Sequence, residues 1–152
     1  MKGRKPVPTQ LNKIRGNPGK RAVNVNEPVA AIVGEEYPCP AHLSGIAEQC
    51  WSDMIRLLAG ARVITELDLK ALELYCQSYQ TYREAQEALA ESGPIIQSPK
   101  SGYPVQSPFF AIANKAQEQM MKIAAEFGMT PSSRTRVSAV EAPKKTNRFL
   151  DS

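Results

Sequence analysis

Hydrophobic and polar positions follow a helical period in three stretches of the chain and lose it elsewhere. Through GIAEQCWSDMIRLLA, Ile46, Ala47, Cys50, Trp51, Met54, Ile55 and Leu58 recur three and four residues apart, which gathers them on one face. The pattern predicts a helix that opens at Ser44, whose hydroxyl can cap free N–H groups, and stops at Gly60. From Glu66 to about Ser92 a wider stripe runs through Leu67, Ala71, Leu72, Leu74, Tyr75, Ser78, Tyr79, Tyr82, Ala85 and Leu89, and Gly93-Pro94 ends it. Thr65 and Asp68 stand where a capping box places its two residues, with Asp in place of the usual Glu or Gln. This second helix would be about 40 Å long. That exceeds what a small domain easily wraps, so part of its surface is expected to meet another subunit. In the third stretch Phe109, Ile112, Ala113, Ala116, Met120, Ile123, Ala124 and Phe127 face one way. Ser107 is its cap, Pro108 its first residue, and Gly128 its end.

Between these stretches the chain punctuates itself. Residues 94–108 place Ile95-Ile96 and Tyr103-Pro104-Val105 around Ser101-Gly102, which predicts a short hairpin or ordered loop. MTPSSRTRV has Thr130 as a cap before Pro131, so one more short helix is expected. The leader up to residue 40 contains Pro6, Pro8, Pro18, Pro28, Pro38 and Pro40, with Gly16 and Gly19 between them. Proline removes a donor and pushes its predecessor toward extended geometry, so that segment reads as an arm. The organisation expected is a basic, Pro/Gly-rich arm over residues 1–40, a helical oligomerisation core over 41–137 and a basic, loose tail over 138–152. The fold class is mainly α: an αα-hairpin with a long second helix, a short hairpin or loop, a third helix, and flexible basic termini.

Composition adds one decisive feature. In 152 residues there is room for one compact domain with extensions. The formal net charge of +4 is unevenly distributed. Residues 1–26 carry Lys2, Arg4, Lys5, Lys13, Arg15, Lys20 and Arg21 and no acid. Residues 27–130 carry seven basic against thirteen acidic groups, and residues 131–152 carry Arg134, Arg136, Lys144, Lys145 and Arg148 against two acids. The chain reads as an acidic body with two basic ends. No apolar run reaches the roughly 18 residues of a membrane span, and no apolar signal-peptide core follows the basic leader. Cys39, Cys50 and Cys76 read as reduced thiols, and the expected location is the cytoplasm.

Enzyme chemistry lacks parts. His42 is the single histidine; with Cys39 it could form half of a zinc site, but the second half is missing, and no serine sits on a nucleophile turn beside it. RGNPGKR has its glycines too close together for a phosphate loop, and Arg21 stands where Ser or Thr should follow the lysine. Glu84, Glu87 and Glu91 share one side of the long helix, which reads as a solvated or inter-subunit polar face before it reads as a metal site. No cofactor, metal or catalytic residue is expected.

Flexible cationic ends suit phosphate backbones, because each Lys or Arg that neutralises a phosphate releases a counterion. Composition alone leaves nucleic acid, an acidic partner protein and a solubilising tail open for the leader. The two helices joined through Gly60–Ile64 do not read as a DNA-reading pair, since the second is too long and its stripe is apolar. Tyr75, Tyr79 and Tyr82 have helical spacing and read as packing.

In order along the chain, GRKPVPTQLNKIRGNPGKR with NEP, then WSDMI, TELDL with ALELYCQSY, and finally EFGMTPSSRTRV resemble the successive motifs of a phage terminase small-subunit family. The resemblance covers residues 3 to about 137, and the pairing of the GNPGKR leader with the FGMTPSSR ending is its specific part. It implies a non-enzymatic subunit of a tailed-phage genome-packaging motor, active in the cytoplasm of the infected bacterial host and absent from the mature virion. Its implied partners are double-stranded viral DNA near the packaging start, the large terminase subunit with its ATPase and nuclease, and further copies of itself in a ring. A protein adaptor with little DNA binding of its own and a helical transcriptional regulator are the alternatives. No base-reading residue transfers. The DNA-contacting residues expected from electrostatics are Lys2, Arg4, Lys5, Lys13, Arg15, Lys20 and Arg21 at one end and Arg134, Arg136, Lys144, Lys145 and Arg148 at the other. Trp51, Leu72, Tyr75, Tyr79, Phe109 and Phe127 are assigned to core or subunit interface.

Overall fold

In the computed structural model, residues 30–134 are described, together with Gly16 and Val137. The elements are α1 (Ile46–Gly60), a 3₁₀ turn (Glu66–Asp68) leading into α2 (Leu69–Ser92), β1 (Ile95–Gln97), β2 (Pro104–Gln106), α3 (Pro108–Glu126) and the short α4 (Pro131–Arg134). Each helix expected from periodicity is present, and the fold is mainly helical. The two strands form an antiparallel ribbon with Ile96 opposite Val105.

The ends of the helices show where local rules hold. Thr65 N–H and Oγ1–H both donate to the Asp68 carboxylate, at 2.9 and 2.7 Å, closing the expected capping box. Gly93, in left-handed backbone, ends α2. Ser44 does not cap α1: Gly45 takes the cap position with φ 59°, a conformation that suits a residue without Cβ. α1 does end at Gly60, but the left-handed residue of its closure is Arg62, with φ 56°. Arg62 N–H reaches the Ala59 carbonyl at 2.9 Å and Val63 N–H reaches Leu58 at 3.1 Å, a Schellman closure that draws Val63 against the core.

The main core lies where α1 crosses α2 and meets the end of α3. Ala47, Trp51, Ile55 and Leu58 of α1 pack with Ile64, Leu72, Cys76 and Phe127. Residues 30–40 belong to this body and not to an arm. Val33 is buried in the core, Ile32 pairs with Thr65, and Glu66 N–H donates to the Ala31 carbonyl at 3.0 Å. Trp51 Nε1–H donates to the Tyr37 carbonyl at 3.4 Å. Prolines allow this because the strap needs only extended backbone and a few bonds to one neighbour.

The tightest helix pairing is α2 against α3, which return on each other through the ribbon. Its buried positions are the alanines Ala85, Ala113 and Ala116, whose small side chains let the two backbones approach. Several residues of the expected stripes therefore face outward: Leu67 and Leu74 are 70% and 56% exposed, and Ala71, Phe109 and Ile112 are exposed too.

Candidate nucleic-acid interface

Of the twelve cationic side chains expected to contact DNA, only Arg134 lies among the described residues. Lys2, Arg4, Lys5, Lys13, Arg15, Lys20, Arg21, Arg136, Lys144, Lys145 and Arg148 lie outside them. Gly16, within the RGNPGKR motif, sits in an exposed turn at φ 70°.

Arg134 is exposed at the last position of α4, and the sequence EFGMTPSSR explains how it is placed. Phe127 is buried and closes α3. Gly128 turns the chain at φ 71°, and Met129 N–H returns to the Ala124 carbonyl at 2.9 Å. A Cβ at Gly128 would lie 3.1 Å from Val137 Cβ and Cγ2 and 3.6 Å from Arg134 Cα, so the left-handed turn and the close approach both require glycine. Thr130 and Ser133 then cap α4 reciprocally. Ser133 N–H reaches Thr130 Oγ1 and Thr130 N–H reaches Ser133 Oγ, both at 3.2 Å, while Ser133 is 1% exposed. The motif is a locally hydrogen-bonded corner that sets Arg134 on the surface.

The acidic body is organised mostly by local pairs. Gln80 donates to Glu84 at 2.7 Å and Arg83 Nη2 lies 3.8 Å from Glu87, so these carboxylates face their own helix neighbours in solvent. Glu73 receives Lys70 at 2.7 Å and His42 at 3.0 Å. The Lys70 hydrogen bond, more than the charges around it, holds the Glu73 carboxyl below its ordinary value. His42 is thus joined to a carboxylate, and Cys39 Sγ lies 3.7 Å from the Pro40 carbonyl. Among the described residues no three His, Cys, Asp or Glu side chains converge in a manner that could hold a metal ion. No described helix is long and apolar enough to cross a membrane.

The residues assigned to core or interface divide. Trp51, Leu72 and Phe127 are buried, Tyr75 and Tyr79 are half-buried, and Phe109 is exposed. Arg83 Nη1 donates to the Tyr79 hydroxyl at 3.3 Å, which leaves that ring along the flank of α2. Sequence reasoning did not single out the apolar patch around the ribbon, where Ile95 is 66% and Tyr103 73% exposed and Val105 and Phe110 are exposed as well. The two short apolar pieces around the Ser101-Gly102 turn were visible, but not that they stay exposed among the described residues.

The family model described as phage terminase, small subunit, matches residues 47–144, from the start of α1 to beyond α4. No curated protein and no solved structure matches the chain.

Proposed function

This chain belongs to the phage terminase small-subunit family, whose role is in phage DNA packaging, and on that premise we propose that it recruits viral DNA to the motor through its basic ends. It acts as a non-catalytic, ring-forming subunit in the cytoplasm of the infected host and hands DNA to the large terminase subunit. The charge distribution carries this reading. Seven cations and no acid occupy residues 1–26, while residues 27–130 hold thirteen acids against seven bases, so attraction to a duplex has to come from the ends. Repetition around a ring multiplies weak contacts per subunit by avidity. The Gly128–Ser133 corner, which ends at the exposed Arg134, supports a place for that cation in the interface, and the exposed apolar residues Leu67, Leu74 and those of the ribbon support contact with further copies.

The experiment is duplex binding across a salt series, with a packaging-start duplex and the full chain against a version lacking residues 1–26. Loss of seven phosphate contacts would flatten the slope of log K against log salt by about 6. An unchanged slope would remove the leader from the DNA interface and leave it to the large subunit. Negligible binding by the full chain would favour a pure protein adaptor.

A further inference from the structure

The two-stranded ribbon has an outer edge on each strand, and the chain blunts only one of them. Ser98 N–H donates to the Tyr103 carbonyl and Ser107 N–H to the Pro94 carbonyl, both at 2.9 Å. Pairs alternate along an antiparallel ladder, so the bonded ones are 94 with 107, 96 with 105 and 98 with 103. The residues between them, Ile95 and Gln97 on β1 and Pro104 and Gln106 on β2, turn their backbone polar groups outward. Pro104 has no N–H to offer, which protects the β2 edge. β1 is Ile-Ile-Gln, with neither a proline nor a charge, and its one extensive neighbour among the described elements is β2. No hydrogen bond outside the ribbon uses Ile95 or Gln97 N–H among the described residues. We propose that this edge is an interface with a second copy of the chain, in which β1 pairs antiparallel with the partner subunit's β1 about a two-fold axis at Ile96.

The edge is complementary to itself. A partner centred on Ile96 sets Ile95 opposite Gln97 of the partner subunit and Gln97 opposite the partner subunit's Ile95, so every outward N–H meets an outward carbonyl. The pairing also ends by itself, because the next outward positions are Gly93, whose N–H is held by the Leu89 carbonyl at 2.8 Å, and Pro99, which has none. Residues 93–99 carry no charge, so no like charges meet at the axis. Ile96 and Val105 stand directly opposite and share a face, and the two-fold continues them into one apolar row across both ribbons. Val105 is 42% exposed in the single chain, and that row is where it gains cover. Pairing β1 on the partner subunit's β2 instead would leave a β1 carbonyl facing Pro104 without a donor. An isologous contact joins copies in twos and does not itself build a ring, so in a ring-forming protein it joins one ring to another. This extends the reading of the ribbon as a contact between copies.

The test uses the full chain. Ile96→Cys, oxidised with copper phenanthroline and mapped without reduction, should give a peptide joined to its own copy through position 96, because Cα atoms of a non-hydrogen-bonded pair lie about 4.5 Å apart, within disulfide reach. Val105→Cys should not link, since its counterpart would lie three strand spacings away, roughly 14 Å. Gln97→Pro removes an outward donor that the ribbon's own ladder does not use. It should abolish the link in the Ile96→Cys chain and, in the otherwise wild-type chain, lower assembly mass by light scattering about twofold with an unchanged far-UV spectrum. Gln106→Pro, the same change on the other edge, should do neither. No link at position 96 in a chain with the wild-type far-UV spectrum, an equal link through Val105→Cys, or an assembly mass indifferent to Gln97→Pro would overturn the pairing. A link that forms only after residues 1–26 are deleted would overturn it too, by assigning the edge to the chain's own leader. No DNA enters these measurements, so their failure is separate from failure of the salt series.

Discussion

Gly128→Ala tests whether the corner after α3 is fixed by contact as well as by backbone. Two costs add at this position. Alanine in left-handed backbone at φ 71° costs about 1 kcal/mol. The new Cβ would stand 3.1 Å from Val137 Cβ and Cγ2, closer than real Cβ atoms normally come, so Val137 must rotate or shift at a further cost of about 1 kcal/mol. Gly102 provides the control, because its φ is 69° and nothing lies within 4 Å of a Cβ there. Gly102→Ala should therefore cost only the backbone part, about 1 kcal/mol, and Gly128→Ala about 2 kcal/mol. In urea melts at one fixed protein concentration, which keeps any contribution of assembly constant, Gly128→Ala should lose about twice the stability of Gly102→Ala. In a Val137→Gly background the Gly128→Ala penalty should fall to the Gly102 level. Equal penalties at the two glycines, or a Gly128 penalty that ignores Val137, would refute the close-approach argument. The second result would leave the corner before Arg134 without its contact to Val137.

Three further outcomes follow from particular side chains. Ser107 Oγ is buried with no partner among the described residues and its hydroxyl does not cap α3, so Ser107→Ala should leave stability unchanged or raise it by up to about 1 kcal/mol in denaturant melts; a loss larger than that would mean the hydroxyl makes a needed bond. Because the folded Glu73 carboxyl lies below its ordinary value of 4.5, its stabilisation is complete above that pH and is lost as pH falls through the folded value. The melting temperature of Glu73→Gln should accordingly trail wild type near neutrality and converge on it once the pH has fallen below the folded value, and a gap that persists in strong acid would sink the assignment. Leu67→Lys with Leu74→Lys alters only exposed positions, so melting should move by less than about 0.5 kcal/mol per site while assembly mass by light scattering falls; unchanged mass would take this face of the 3₁₀ turn and α2 out of the subunit contact.

Features coded within three or four residues were legible in the sequence. The helical period of α1, α2 and α3, the Thr65–Asp68 box, Pro108 as first residue of α3 and Gly93 as its predecessor's end all depend on bonds that close locally, and the structure contains them. Charge segregation is likewise a property of the chain, and so is the cationic character of the candidate interface. Most of that interface falls outside the described residues, which leaves only the Arg134 corner with a geometry.

Tertiary structure decided what periodicity cannot express, namely which element covers which face. An apolar stripe wider than one neighbour can cover must leave part of itself exposed, and the choice fell on Leu67 and Leu74, while the seam of α2 and α3 took Ala85, Ala113 and Ala116 because small residues permit close backbones. The strap at residues 30–40 looked like arm because proline forbids regular structure, yet extended backbone was all that Ile32 and Val33 needed to reach Thr65 and Ile64. Arg62 accepted a left-handed turn so that Val63 could reach the core. Local hydrogen bonds and steric limits are written residue by residue, but burial is a relation between elements and takes its value only when they are packed.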